Sequence, residues 1–230
     1  MLYKFCLGAT ALAVNCSVSL VQADVGHVYH PQVDYLEKEV EYQRLWRDDG
    51  VDLQSASFSY AWHPRWSGEL YLVKDLLTHT GGKIKAYEAE VKWQLTEQGE
   101  YWADWGLLFE AGRSRDISRY ETAVGLLWEK DLPGRWIGTI NGFVEYEFGS
   151  DIESEWETSL SAQLRYRQSP AFEPAFEIYL DDQDYAAGPV WVGQQRFSGR
   201  QQLRWELGAL LSLNSATPDT QFKLSLEWEF

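Results

Sequence analysis

After residue 16 the sequence contains no cysteine, for the only two are Cys6 and Cys16. Neither a disulfide framework nor a thiolate metal site can therefore be built in the rest of the chain. Histidine is scarce as well, with four copies at His27, His30, His63 and His79. Basic residues are outnumbered, 20 Lys+Arg against 35 Asp+Glu, and the net charge of −15 argues against nucleic acid as a partner. Beyond the N-terminal stretch nothing nears the roughly 20 apolar residues that a membrane-spanning helix needs. What the chain does have is aromatic surface, 12 Trp and 13 Tyr, and acidic disordered chains are aromatic-poor.

The first residues read as an export signal. Lys4 supplies the positive start, Phe5 to Val14 the apolar core, and Val21-Gln22-Ala23 a small-x-small cleavage site. The expected division is a signal peptide over 1–23 and a mature domain over 24–230, cut before Asp24. Asn15, Cys16 and Ser17 interrupt the apolar run, which is too short for a membrane anchor. A lipoprotein cut before Cys16 is disfavoured by Asn15. Cleavage at Ala23 removes both cysteines and Lys4, so the mature chain is one unit more negative than the precursor.

From about Tyr35 onward the hydrophobic period is two, the period of a strand. In the last segment Phe222, Leu224, Leu226, Trp228 and Phe230 alternate with Lys223, Ser225, Glu227 and Glu229. A strand places each set on its own face, whereas a helix scatters them. The same pattern runs through Trp156–Arg167, Tyr87–Leu95, Ile140–Phe148, Leu203–Leu211 and Ser57–Trp62. Most of these segments approach the roughly 9–11 residues of a tilted membrane strand. Glu69–Lys74 and Gly188–Phe197 alternate less clearly and read either as strands or as loop excursions.

Turn residues divide the chain into about twelve strands, an even number that leaves both ends on one side, the periplasmic one. His63-Pro64-Arg65, Thr96–Glu100, Asp131–Gly134, Gln168–Pro170 and Ser198–Arg200 are then periplasmic turns. External loops fall near Arg47–Leu53, Asp75–Gly82, Arg113–Ser118, Gly149–Glu155, Gln183–Ala187 and Asn214–Pro218. Asp24–Pro31 is a short periplasmic lead. The fold class is thus all-β, an antiparallel up-and-down transmembrane β-barrel. A soluble sandwich also alternates. Aromatics at strand ends, the strand number and an alternating strand that closes on Phe230 favour the barrel.

Three stretches carry a family resemblance: Gln94-Leu95-Thr96-Glu97-Gln98-Gly99-Glu100-Tyr101-Trp102, Ser169-Pro170-Ala171-Phe172-Glu173-Pro174, and Leu203-Arg204-Trp205-Glu206-Leu207-Gly208 through to Ala216-Thr217-Pro218-Asp219. The chain resembles an uncharacterised family of proteobacterial outer-membrane β-barrels. These are turn and strand motifs, so the resemblance implies fold and location and brings no substrate. A C-terminal Phe230 in this setting resembles the assembly signal read by the barrel-assembly machinery, which with outer-membrane lipid is an expected partner.

Chemistry is sparse. His27 and His30 read as part of a solvated tail, since two histidines alone make an incomplete metal site. His63 and His79 have no recognisable partner. Ser55, Ser57 and Ser59 precede His63 on one strand and point inward, but no nucleophile–base pair emerges. No enzyme, metal site or cofactor is expected. The polar faces are charged: Glu88, Glu90, Glu145, Glu147, Glu157, Glu206, Glu227 and Glu229 with Lys92, Arg165, Arg167, Arg204 and Lys223. One reading is a narrow channel or transporter component for small cations or polar solutes. The alternative is a structural or interaction barrel sealed by acid–base networks. A lipid-acting barrel enzyme is a third, weaker reading.

Overall fold

A computed structural model describes residues 26–230 except 49, 51, 76–83, 183, 216 and 218. The expected signal peptide and cleavage site, both cysteines and most of the Asp75–Gly82 loop lie outside the described residues. Twelve strands follow one another: β1 (Lys38–Arg47), β2 (Asp52–His63), β3 (Trp66–Asp75), β4 (Ile84–Gln94), β5 (Asp104–Ser114), β6 (Tyr120–Leu132), β7 (Trp136–Phe148), β8 (Glu155–Tyr166), β9 (Glu173–Leu180), β10 (Tyr185–Arg196), β11 (Gln202–Ser212) and β12 (Thr220–Glu229). Each pairs antiparallel with its neighbours, and β1 pairs with β12, so the sheet closes on itself. Closure leaves no open edge. The two segments of weaker alternation are strands β3 and β10, and residues 185–187, expected in a loop, already belong to β10.

Two rims follow. The terminal rim carries the start of β1 and the C-terminal end of β12, joined where Phe230 N donates to Lys38 O at 2.9 Å. Its connections fall where the sequence predicted turns and run from two residues between β2 and β3 to nine between β4 and β5. Gly134 and Arg135 both have positive φ, which lets β6 reverse into β7 within three residues. The distal rim carries the remaining loops.

Outward residues are apolar and exposed, with Leu70 at 64% and Leu211 at 56%. Val124, Leu126, Ile140, Val144, Leu160, Leu164 and Phe176 continue the belt. A continuous surface of this kind is stable against hydrocarbon and not against water. Nine of the twelve tryptophans sit toward the terminal rim, among them Trp66 and Trp93 stacked at 5.0 Å, which marks that rim as one edge of the apolar belt.

Twelve strands about 4.8 Å apart and tilted about 40° set a backbone radius of roughly 12 Å. Side chains from opposite walls leave a passage about as wide as one extended peptide. That passage positions the site.

Candidate functional site

The passage is filled from within. Residues 26–36 do not trail into solvent. A turn at 34–37, closed by Glu37 N donating to Asp34 O at 3.0 Å with Leu36 at φ 68°, folds them back into the barrel. From the terminal rim this segment climbs toward the distal one. Its eleven residues reach at most roughly 36 Å when extended, enough to run most of the height of the wall.

Wall side chains clamp it at successive levels. Val33 N donates to Gln94 Oε1 at 2.7 Å, near the terminal rim. Gln32 Nε2 donates to Glu129 Oε1 at 2.9 Å, and the His30 ring meets Glu129 Oε2. Asn141 grips the backbone of Tyr29 from both sides: Oδ1 accepts from Tyr29 N at 2.8 Å and Nδ2 donates to Tyr29 O at 3.0 Å. The Tyr29 hydroxyl donates to Glu90 Oε1 at 2.6 Å. Highest up, Gly26 O accepts from Lys223 Nζ at 2.7 Å and from the Tyr179 hydroxyl at 2.5 Å.

Apolar packing completes the fit. The Tyr29 ring is buried with Leu108 and Leu127, and Phe143 packs against them. Pro31 lies so close to Gly106 that a Cβ there would stand 3.0 Å from Pro31 Cβ, so glycine gives the segment its closest approach to β5 and a side chain at 106 would make Pro31 give by a few tenths of an ångström. These contacts correct two expectations: residues 26–31 are not a periplasmic lead, and His27 and His30 are not in a solvated tail. His27 lies 5.0 Å from the Tyr29 ring, centroid to centroid, inside the barrel. A partner-rich wall outweighs solvation because Gly26 O, Tyr29 N, Tyr29 O and Val33 N exchange water for wall partners.

Of the predicted lumen residues, Glu88, Glu90, Glu147, Lys223 and Glu229 are buried on the inward face, and Lys92, Glu145, Glu157, Arg165, Arg204, Glu206 and Glu227 are half-buried. Arg167 follows β8 at the terminal rim, where it pairs with Asp131 at 2.7 Å. Lys223 is the hub of the basic side, 2.5 Å from Glu177 Oε2 and 2.5 Å from Glu206 Oε1. Arg204 lies 2.7 Å from Glu229 and Arg165 3.3 Å from Glu173.

The opposite wall is acidic. The ladder places Glu39, Ser59, Glu69, Glu90, Glu110, Ala123, Glu145 and Glu157 as successive cross-strand partners from β1 to β8. Glu39 is the second residue of β1, at the terminal rim, and Glu157 the third of β8, near the distal rim. The row is therefore an ascending line of carboxylates. Like charges directly opposite each other destabilise a sheet, so this line persists only with cations, protons or donors beside it. Between it and the segment lies a cavity of about 420 Å³, bordered by Glu39, Glu69, Lys92 and Arg204 and by His30 of the segment.

Sequence reading missed Asn141, Glu129, Glu177, Glu39, Glu69 and Glu110, because pairing across strands, not order along the chain, brings them together. The inward serines make no catalytic pair: Ser57 Oγ bonds Glu69 and Ser55 Oγ donates to Gln43 Oε1 at 3.2 Å. His63 Nδ1 accepts from Arg65 N in the turn at 3.2 Å.

No family model matches the chain, and no curated protein does. Solved structures do. The COG4313 outer membrane channel from Pseudomonas putida F1 superposes with TM-score 0.57 at 16% identity, covering 86% of this chain and 96% of that one. The KdgM porin, in complex with disordered oligogalacturonate, gives 0.58 at 9% identity over 84% and 99%. The NanC porin gives 0.54 at 13% identity over 83% and 98%. At these identities the likeness establishes the fold: this chain is a closed twelve-stranded antiparallel barrel of the kind those channels use.

Proposed function

We propose that the chain is an outer-membrane channel for small cations, whose lumen its own N-terminal segment occludes. The observation that carries this reading is the ascending row of carboxylates beside a clamped segment. A lumen wall of one sign concentrates counter-ions and excludes co-ions. The apolar belt, the aromatic rim and the likeness to solved outer-membrane channels support the location. The terminal rim then faces the periplasm, and export proceeds with cleavage before Asp24, two residues short of the seated Gly26.

The acidic wall separates this protein from a carrier of acidic sugars such as the ligand held by KdgM. A polyanion meets Glu39, Glu69, Glu90 and Glu110 on entry, whereas potassium, sodium or a cationic amine meets complementary charge. Hydrolysis is not part of the proposal: among the described residues the inward Ser55 and Ser57 bond Gln43 and Glu69, not a histidine.

The test is ion selectivity. The purified chain is reconstituted in planar bilayers under a tenfold potassium chloride gradient, and the reversal potential of its openings is read. A cation-preferring lumen shifts it toward the roughly 59 mV limit on the cation side, and Glu90→Gln with Glu110→Gln brings it back toward zero. The sealed-barrel reading, favoured by the density of clamps on residues 26–33, predicts no openings at all, even after Asn141→Ala.

A further inference from the structure

We infer that the distal rim carries a divalent-cation site formed by Glu121, Glu145 and Glu147. It shares Glu145 with the carboxylate row but does not border the cavity beside the segment, and it does not depend on permeation. One oxygen from each carboxylate lies within 4.8 Å of the other two, a span that a calcium-class ion bridges at 2.3–2.6 Å per oxygen. The ladder fixes this geometry: Glu121 and Glu147 are direct partners across β6 and β7, and Glu145 is two residues from Glu147 on the same face.

A second observation points to an occupant. Glu121 is only 4% exposed, and its Oε2 is buried without a hydrogen-bond partner among the described residues. Its close polar neighbour is another carboxyl, that of Glu145, within hydrogen-bonding reach. Two ionised carboxylates reject this approach unless a cation or a shared proton lies between them. Arg119 pairs with Glu147 and supplies one positive charge. Three carboxylates and one guanidinium leave an excess of negative charge, to which Glu88 and Glu110 nearby add, and a divalent ion offsets it.

The frame around the site is rigid. Ser118 N donates to Asp151 Oδ2 at 2.7 Å, tying the β5–β6 loop to the β7–β8 loop. Gly149 sits where a Cβ would stand 1.9 Å from Ser118 O, so only glycine allows the two loops to meet. Pre-organised carboxylates of this number suit a hard cation with oxygen ligands, calcium above the smaller, more strongly hydrated magnesium.

The experiment uses the full mature chain folded in detergent, titrated calorimetrically with calcium chloride and separately with magnesium chloride, with thermal melts in chelator and in calcium. One saturable calcium site is expected, at about 0.1–1 mM, the range of weak extracellular sites. Calcium at ten times the dissociation constant should raise the folded-to-unfolded ratio about tenfold. In Glu121→Gln with Glu145→Gln the calcium heat and the melting shift should vanish, and the variant should melt above the native chain in chelator because the repulsion is gone. Absence of saturable heat and of any shift in the native chain overturns the inference and leaves a shared proton as the occupant. Retention of both by the double variant overturns it too, since the binding then comes from diffuse surface charge. If the double variant does not fold, the native titration and melts decide alone.

Discussion

Replacing Asn141 by alanine should loosen the segment without harming the wall. Asn141 is fully buried and bonds both backbone groups of Tyr29, at 2.8 and 3.0 Å, while its outward neighbours Ile140 and Gly142 keep their places in β7. The truncation orphans one N–H and one C=O. At about 1–1.5 kcal/mol each the loss is about 2–3 kcal/mol. With tenfold per 1.4 kcal/mol, the ratio of seated to released segment falls roughly 30- to 150-fold. Two assays read this. Bilayer recordings should show a rise in open probability of that order, and hydrogen exchange at the Tyr29 amide should accelerate in step, while heat-modifiability of the barrel on gels stays native. Unchanged gating together with unchanged exchange at Tyr29 would refute the reasoning, since the clamp then contributes nothing to seating. A collapsed barrel would show instead that the segment is an integral part of the core.

Three further outcomes follow from the same geometry. Leu160→Arg places a charge in the exposed apolar belt, where a midplane site costs about 2–4 kcal/mol, so urea unfolding in lipid should report a loss of that size. Lys223→Met strands the fully buried Glu177 carboxylate; breaking such a pair costs about 3–5 kcal/mol in a dry core, and water in the lumen should hold the measured loss to the low end. Deleting Phe230, whose N–H closes the last rung onto Lys38 O, should lower insertion of the barrel without reducing export, measured as outer-membrane yield against total exported chain.

The twelve strands were readable because lipid outside and polar groups inside impose opposite chemistry on alternate residues. Where that contrast weakens, the reading weakens. In β3 the inward Tyr71 and Val73 pack with Ala86, so both faces are apolar. In β10 Val190 joins Ala186 and Leu210 inside while Trp191 faces out. The folded-back segment was not readable from its own residues, since His27 to Gln32 has neither alternation nor a helical period. A signal did exist elsewhere: Leu108, Leu127 and Phe143 are large apolar residues facing inward beside the Asn141 and Glu90 that hold the segment. Apolar side chains inside a water-filled tube have no reason to persist, and inside a tube filled by peptide they do. The carboxylate row was half-readable. Glu90, Glu145 and Glu157 could be placed on the inner face, but the register that lines them up with Glu39, Glu69 and Glu110 depends on the stagger of closure, which no single strand encodes.

The most direct test of the occluded lumen is a reversible lock. The mature chain expected after cleavage has no cysteine, so a single engineered pair reports cleanly. Pro31→Cys with Gly106→Cys brings two thiols together where a Cβ at 106 would stand 3.0 Å from that of residue 31, so the segment need move away by only about 0.5 Å to reach the roughly 3.5–4.5 Å of a disulfide. In planar bilayers the oxidised protein should be silent, and a reductant added to the chamber should start openings that carry potassium in preference to chloride. Oxidised channels that conduct as freely as reduced ones would contradict the account, because ions would then be passing a segment held in its seat.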